Sequence, residues 1–116
     1  MILLPSPVRV FLCTRSTDLR KSFDGLSGLV QECFDQELLT GHLFLFFNRR
    51  GDRIKILYFD RDGLAIWYKR LEEGSFQMPQ TVTQDGVELQ PAQLAMLLSG
   101  IDLHTARQRK RFRRPA

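Results

Sequence analysis

The stretch of sequence that decides the fold is LFLFFNRRGDRIKILYFDRDGLAIWYKRL, residues 43–71. It contains three apolar runs separated by two turns of similar chemistry, NRRG at 48–51 and DRDG at 60–63. Each turn begins with Asn or Asp, whose side chain can hydrogen-bond the turn backbone. Each turn ends on Gly, which adopts a positive φ without steric cost. The stretch therefore predicts two consecutive β-hairpins that form a three-stranded meander.

The turn geometry also predicts which side chains share a face of the sheet. We expect Asn48 to lie opposite Asp52 and Asp60 opposite Leu64. In that register one face is apolar and forms a core. Its members are Phe44, Phe46, Ile54, Ile56, Tyr58, Ile66 and Tyr68.

The second face of the predicted sheet carries Trp67 together with Arg53, Lys55 and Lys69. The register places Lys55 directly opposite Lys69, and like charges in that position are destabilising unless an anion lies between them. This face is therefore a candidate surface for an anionic partner, with Trp67 available to stack on a base. The alternative is a solvated face on which lysines discourage aggregation.

Two segments outside the meander show helical spacing of apolar residues. The longer one covers residues 19–34, with Ser16 or Thr17 available as the N-cap. In the shorter one, Pro91 suits the first helical turn and Gly100 suits the C-terminal stop. These patterns predict one long N-terminal helix and one short C-terminal helix.

Two short apolar runs, at 8–13 and 87–89, predict additional strands. The sum is an α+β fold in a single domain over residues 1–103. Its antiparallel sheet is built on the two-hairpin meander at about residues 43–71, flanked by the long N-terminal helix and the short C-terminal helix.

The basic character of the chain is concentrated at its C-terminal end. The net charge is +4, but residues 107–114 contain six of the seventeen basic residues, which leaves eleven basic against thirteen acidic residues elsewhere. We expect residues 104–116 to form a basic tail that is disordered without a partner. Contact with a polyanion is one interpretation of this tail, and a role in solubility alone is the other. The cations concerned are Arg107, Arg109, Lys110, Arg111, Arg113 and Arg114.

The composition is that of an ordinary soluble protein, with 43% apolar and 26% charged residues. The two cysteines, Cys13 and Cys33, form no CxxC pair, which favours free thiols in a reducing compartment over a disulfide. The first seven residues have the pattern of neither a signal peptide nor a transmembrane segment. We therefore predict a cytoplasmic protein.

Arg20 and Lys21 fall in the first turn of the predicted long helix, where cations oppose the helix dipole. One explanation is an ion pair between Arg20 and Asp24, four residues apart. The other is that the helix N-terminus and its two cations attract a phosphate. The sequence leaves both open.

Enzymatic interpretations find little support in the sequence. Asp60 and Asp62 resemble a metal-binding Asp-x-Asp pair, but turn chemistry already explains both residues. His42 and His104 suggest no catalytic triad, and no glycine-rich phosphate loop occurs. We predict no catalytic residue, no metal, no cofactor and no small-molecule substrate.

The string DLRKSFDGL at 18–26, followed by LVQ at 29–31, resembles the signature of the IS66-type insertion-sequence accessory protein, often called TnpB or Orf2. The likeness continues through NRRGD at 48–52, DRDG at 60–63 and LLSGID at 97–102. It covers residues 1 to about 103. The unrelated RNA-guided nuclease that is also called TnpB is a different protein.

The resemblance implies a bacterial factor that a mobile element needs for transposition, alongside a separate transposase that performs the chemistry. It implies no catalytic residues and at most an association with the nucleoid. The positions that match the family's charged and glycine motif are Arg20, Lys21, Asp24, Gly25, Lys55, Lys69 and Arg70. The chain departs from the family at Met78 and Leu103, where an aromatic residue is usual.

The leading hypothesis is a non-catalytic accessory protein that binds DNA, at the element ends or non-specifically, or the cognate transposase, or both. Its predicted contact set on the body is Arg20, Lys21, Arg53, Lys55, Trp67, Lys69 and Arg70, with the six tail cations as a non-specific clamp. One alternative is a protein-interaction module whose tail docks on an acidic surface of the transposase. A remote alternative is a small metal-dependent nuclease that uses Asp60 and Asp62.

Overall fold

The structure is a computed structural model that describes residues 8–77, 84–100 and 111–115. Five strands, two α-helices and one 3-10 turn lie within these residues. In chain order they are β1 Val10–Cys13, α1 Phe23–Cys33, the 3-10 turn Leu38–Thr40, β2 Leu43–Phe47, β3 Arg53–Asp60, β4 Gly63–Arg70, β5 Gly86–Leu89 and α2 Pro91–Ser99. The predicted hairpins, the additional strands and the short C-terminal helix are all present. The predicted domain boundary at residue 103 lies outside the described residues.

The five strands form one mixed sheet in the order β4-β3-β2-β1-β5. The meander β2–β3–β4 is antiparallel and β5 is antiparallel to β1, but β1 and β2 are parallel. The prediction of an antiparallel sheet was therefore wrong for one strand pair. A parallel pair needs a long crossover connection, and the segment that contains α1 supplies it.

The prediction of a long N-terminal helix was also wrong, because α1 has 11 residues and begins only at Phe23. The preceding segment is held in a different conformation. The Asp18 carboxylate accepts the backbone N–H of Arg20 at 3.0 Å, a local hydrogen bond that competes with helix formation. Thr17, instead of capping the helix, donates its backbone N–H to the carbonyl of Phe47 in β2 at 2.7 Å.

Both hairpins differ by one residue from the predicted register. Phe47 lies opposite Ile54 in the first hairpin, and Asp60 lies opposite Gly63 in the second. Side chains alternate between the two faces of the sheet along each strand. A shift of one residue in the pairing therefore places different residues of neighbouring strands on the same face.

The shift removes the predicted clash of two lysines. Lys55 lies opposite Tyr68, whereas Lys69 lies opposite Ile54 and points to the other face of the sheet. The expected juxtaposition of Lys55 and Lys69 was wrong, and no anion is needed to relieve it.

Both faces of the sheet are covered by a core. One face packs against α2 and the other packs against α1. The buried members of the first cluster are Val10, Leu12, Leu43, Leu45, Phe47, Ile54, Ile56, Leu71, Phe76, Leu89, Leu94, Leu97 and Leu98. Those of the second are Phe11, Cys13, Leu19, Leu26, Val30, Phe34, Phe44, Phe46 and Leu57. All five residues of β2 are buried, as is typical of a strand packed on both sides.

Candidate nucleic-acid interface

A broad open cleft of about 690 Å³ lies at one end of the sheet, on the face that packs against α1. It is bounded by the segment that precedes α1, by the turn between β2 and β3, and by the neighbouring ends of β3 and β4. Five basic and two acidic side chains line it. The lining residues are Ser16, Thr17, Asp18, Leu19, Arg20, Asn48, Arg49, Arg50, Asp52, Arg53, Lys55 and Tyr68.

The wall before α1 is organised by Asp18. Its carboxylate accepts the backbone N–H of Arg20 and forms an ion pair with the Arg20 guanidinium at 2.6 Å. These hydrogen bonds lower the pKa of Asp18 to about 2. The Arg20 side chain remains 91% exposed, so its guanidinium is accessible to a second anion. The sequence analysis considered an ion pair between Arg20 and Asp24. In the structure Arg20 pairs with Asp18 instead.

The opposite wall is the β2–β3 turn, whose conformation is fixed by Asn48. The side-chain oxygen of Asn48 accepts the backbone N–H of Arg53 at 3.0 Å, and its amide nitrogen donates to the Asp52 carboxylate at 2.6 Å. Between them Arg49 and Arg50 are exposed. Within the described parts of the chain, neither arginine forms an ion pair.

The floor of the cleft is formed by three side chains of β3 and β4. Lys55 Nζ donates to the carbonyl oxygen of Lys21 at 2.9 Å and lies 4.9 Å from the centre of the Tyr68 ring. Arg53 Nη1 donates to the Tyr68 hydroxyl at 3.1 Å. Lys55 therefore holds the segment before α1 against the sheet, which brings Lys21 to the border of the cleft.

The structure brings together some of the predicted contact residues and separates others. Arg20, Arg53 and Lys55 line the cleft, and Lys21 adjoins it. By contrast, Lys69 and Trp67 lie on the other face of the sheet, where Trp67 packs against the α2 cluster. These two residues do not belong to the same surface as the others.

Arg70 occupies an intermediate position. It lies opposite Arg53 in the β3–β4 ladder, but it does not line the cleft and its guanidinium pairs with Glu72 at 3.1 Å. Arg70 thus extends the basic surface along the edge strand without facing the cleft itself.

The tail cations are only partly described. Arg107, Arg109 and Lys110 lie outside the described residues, as do Met78 and Leu103. Arg111 packs against the body, with its guanidinium 5.3 Å from the centre of the Phe76 ring and Nη1 donating to the Ser75 carbonyl at 3.0 Å. Arg113 and Arg114 are exposed.

The predicted contact set lacks several residues that line the cleft, among them two arginines and a tyrosine. Arg49 and Arg50 were assigned to turn chemistry alone, although two adjacent arginines at the tip of a hairpin are a recognisable basic signal. Tyr68 was assigned to the core because it shares a face with Phe44 and Phe46. It lies near the end of the edge strand β4, however, and is 48% exposed.

The geometry gives the nuclease interpretation no support. Asp60 and Asp62 flank the tip of the second hairpin and are exposed. Within residues 8–77, 84–100 and 111–115, no group of three or more His, Cys, Asp or Glu side chains is arranged to hold a metal ion. His42 accepts the backbone N–H of Arg9 at 3.0 Å, and burial lowers its pKa, so it has a structural explanation.

A family model described as IS66 Orf2 like protein matches residues 8–108 of the chain. The chain belongs to the IS66 Orf2-like family. Membership associates it with the transposition of IS66-type insertion sequences, and it agrees with the resemblance seen in the sequence. The family is one of accessory proteins and is not known for catalysis.

Two curated relatives from Sinorhizobium fredii (strain NBRC 101917 / NGR234) extend this match. Uncharacterized protein y4hO is 40% identical over 102 residues, which cover 86% of this chain and 88% of the relative. Uncharacterized protein y4jC is 31% identical over 108 residues, which cover 93% and 91%. No solved structure matches the chain. Among the described residues of this IS66 Orf2-like protein, no helix is long and apolar enough to cross a membrane.

Proposed function

We propose that this protein is a non-catalytic accessory factor of IS66-type transposition that binds DNA through the phosphate backbone. The observation that supports the proposal best is the convergence of five basic side chains on one open cleft that contains only two carboxylates. The charge of Lys21 lies close enough to add to the Arg20 hydrogen bonds in lowering the pKa of Asp18, which lines the cleft. The cleft, and not the whole sheet face, is the proposed contact surface.

The charge distribution within the cleft favours an anionic ligand. One carboxylate, Asp18, is engaged by Arg20, and the other, Asp52, is engaged by the neutral amide of Asn48. The remaining cations are therefore only partly compensated. Arginine forms planar, bidentate hydrogen bonds with phosphate, and contacts of this kind position a protein on DNA without reading its sequence.

The nature of the lining residues further indicates backbone contact in preference to base readout. One side of the Tyr68 ring is occupied by Lys55, which limits base stacking at this position. Trp67, the other candidate for stacking, lies on the opposite face. We therefore expect weak sequence preference and a strong dependence of affinity on salt.

Binding to the transposase is a second proposed function, and a separate feature favours it. Phe112 is 56% exposed and lines a groove of about 400 Å³ together with Leu98 and Lys69. An exposed aromatic next to the cations Arg113 and Arg114 suits an acidic protein surface with an apolar centre. The cognate transposase is the partner we propose for this groove.

DNA binding is tested by titrating fluorescent element-end duplex with the protein at several salt concentrations. We expect the double variant R20Q/K21Q to weaken binding and to reduce the slope of log K against log salt by about 2, since each lost phosphate contact removes about 0.9. K69Q removes one cation from the opposite face and is the matched control, with an unchanged slope. Equal slopes for wild type and R20Q/K21Q would rule out the cleft as the DNA-binding surface.

Deleting residues 104–116 separates the cleft from the tail. If the cleft binds DNA, the truncated protein retains binding that R20Q/K21Q then weakens further. The proposal is contradicted if the truncated protein no longer binds DNA and the full-length R20Q/K21Q variant binds it as tightly as wild type. Capture of the purified transposase by wild type and by F112A tests the second function independently.

A further inference from the structure

The two cysteines of the chain meet at the end of the sheet. Cys13 is the last residue of β1, Cys33 is the last residue of α1, and their sulfur atoms lie 3.3 Å apart. Both are free thiols. A disulfide bond is about 2.05 Å long, so the sulfurs need to approach by only roughly 1 Å.

Close packing around Gly86 holds the two thiols together. Gly86 lies opposite Cys13 in the β1–β5 ladder. A Cβ atom at this position would overlap the carbonyl oxygen of Cys33 and the ring of Phe34. The end of α1 is therefore pressed directly onto the β1–β5 backbone, which makes the contact between the thiols a property of the fold.

The environments of the two sulfurs differ in a way that assigns them different roles. Cys33 is half-buried, and Arg15 Nη2 donates to its sulfur at 3.0 Å. Negative charge on this sulfur is therefore met by a guanidinium. Cys13 is 1% exposed, and burial together with the hydrogen bond to Cys33 raises its pKa to about 11. Cys33 is accessible to a small oxidant and Cys13 is not.

We propose that Cys13 and Cys33 form a peroxide-sensitive pair that closes to a reversible intramolecular disulfide, with Cys33 as the attacking thiol and Cys13 as the resolving thiol. The inference is independent of DNA binding, because it depends on no residue of the contact set. It assigns a modification site to the junction of β1 and α1.

The reaction needs a hydroperoxide as the oxidant. The Cys33 thiolate attacks one peroxide oxygen and the O–O bond breaks, which gives a sulfenic acid on Cys33 and, after proton uptake, water from the leaving oxygen. Cys13 then attacks the Cys33 sulfur, the S–O bond breaks, and the departing hydroxide takes the Cys13 proton and leaves as water. Two electrons pass from the sulfurs to the peroxide, and two thiols and one hydrogen peroxide give one disulfide and two waters.

The test uses the reduced full-length protein exposed to hydrogen peroxide, followed by unfolding, alkylation of the remaining thiols and peptide mass spectrometry. We expect both thiols to be lost together, with a Cys13–Cys33 cross-linked peptide that disappears on treatment with dithiothreitol. R15Q should slow the reaction by roughly threefold to tenfold because the guanidinium is lost. R61Q, at the tip of the second hairpin, is the matched control and should react at the wild-type rate.

Two single-cysteine variants separate the roles of the sulfurs. In C13S, oxidised Cys33 has no resolving thiol, so dimedone should label it as a sulfenic acid. In C33S, the buried Cys13 should stay reduced under the same conditions. In the wild type, two intact thiols after peroxide treatment, or an oxidised Cys33 beside a Cys13 that is still alkylated, would overturn the proposal.

Discussion

The two hairpin turns are built from similar sequences, NRRG at 48–51 and DRDG at 60–63, but they adopt different structures. In the first turn Gly51 has a φ of 74°, and the strands pair from Phe47 and Ile54 onward. In the second turn Asp60 pairs directly with Gly63, so the loop contains only two residues, and Arg61 has the positive φ, 55°. Gly63 is an ordinary strand residue.

The difference follows from the first side chain of each turn. Asn48 has both a donor and an acceptor, and it bridges the backbone N–H of Arg53 and the carboxylate of Asp52. Asp60 lacks the amide N–H donor of Asn48, and Leu64 stands in the second turn where Asp52 stands in the first, so the same bridge is not available there. The wider first turn is also the one that presents two arginines to the cleft.

The largest expected effect is that of removing the Asn48 side chain. N48A leaves the Arg53 N–H and the Asp52 carboxylate without their partner, and we expect a loss of about 2 kcal/mol in the free energy of unfolding. D60A, the equivalent change in the second turn, should cost less than about 0.5 kcal/mol. Urea unfolding followed by Trp67 fluorescence measures both, and equal losses would contradict the distinction between the turns.

The next effect concerns the glycines. G51A forces a side chain into the left-handed region and should destabilise the protein by about 1 kcal/mol. G63A meets no atom within 4 Å and should be neutral or slightly stabilising, since Gly weakens a strand. A greater loss of unfolding free energy in G63A than in G51A would contradict the positive φ at Gly51.

A gain in stability is expected at Arg61, because it is a non-glycine residue with a positive φ. Asn tolerates this conformation better than Arg. R61N should therefore raise the free energy of unfolding by about 0.5 kcal/mol. R49N, at the tip of the first turn, controls for the loss of an arginine. Thermal unfolding should show a gain in stability for R61N and not for R49N.

The smallest effect is the acid dependence of the first turn. The hydrogen bond from Asn48 lowers the pKa of Asp52 in the folded protein, so Asp52 stabilises the fold above the unfolded pKa of about 3.9. This contribution is lost as the pH falls below about 4. D52N should flatten the decline in stability over this range, and D62N is the control for the loss of one turn carboxylate. A decline in stability as steep in D52N as in wild type would show that the Asp52 carboxylate is not its source.

The sequence predicted which segments form strands and helices better than how they pair. Both hairpins followed from turn residues, and α2 followed from Pro91 and Gly100, because these are local signals. The register did not follow, since it depends on which residue of each turn adopts a positive φ. The length of α1 was overestimated because Asp18 forms a local hydrogen bond with the backbone of Arg20 that helical spacing does not reveal.

The structure brings only some of the predicted contact residues together. Arg20, Arg53 and Lys55 line the cleft, and the backbone carbonyl of Lys21 accepts a hydrogen bond from Lys55. Trp67 and Lys69 were grouped with them only through the wrong register. The continuous apolar run of β2 was the available sign that both faces of the sheet are buried, and it excludes a wholly polar second face.

The position of β1 in the interior of the sheet affects how the chain folds while it is being synthesised. β1 is translated before both of its partners, β2 and β5, and β5 ends only at Leu89. The local hairpins of β2, β3 and β4 can form early, whereas the pairing of β1 with β5 closes a long loop and is slow. Until Gly86 leaves the ribosome, one edge of β1 presents unpaired backbone groups between buried apolar side chains. Ribosome-bound chains that stop before β5 are therefore the form of this protein that most needs a chaperone.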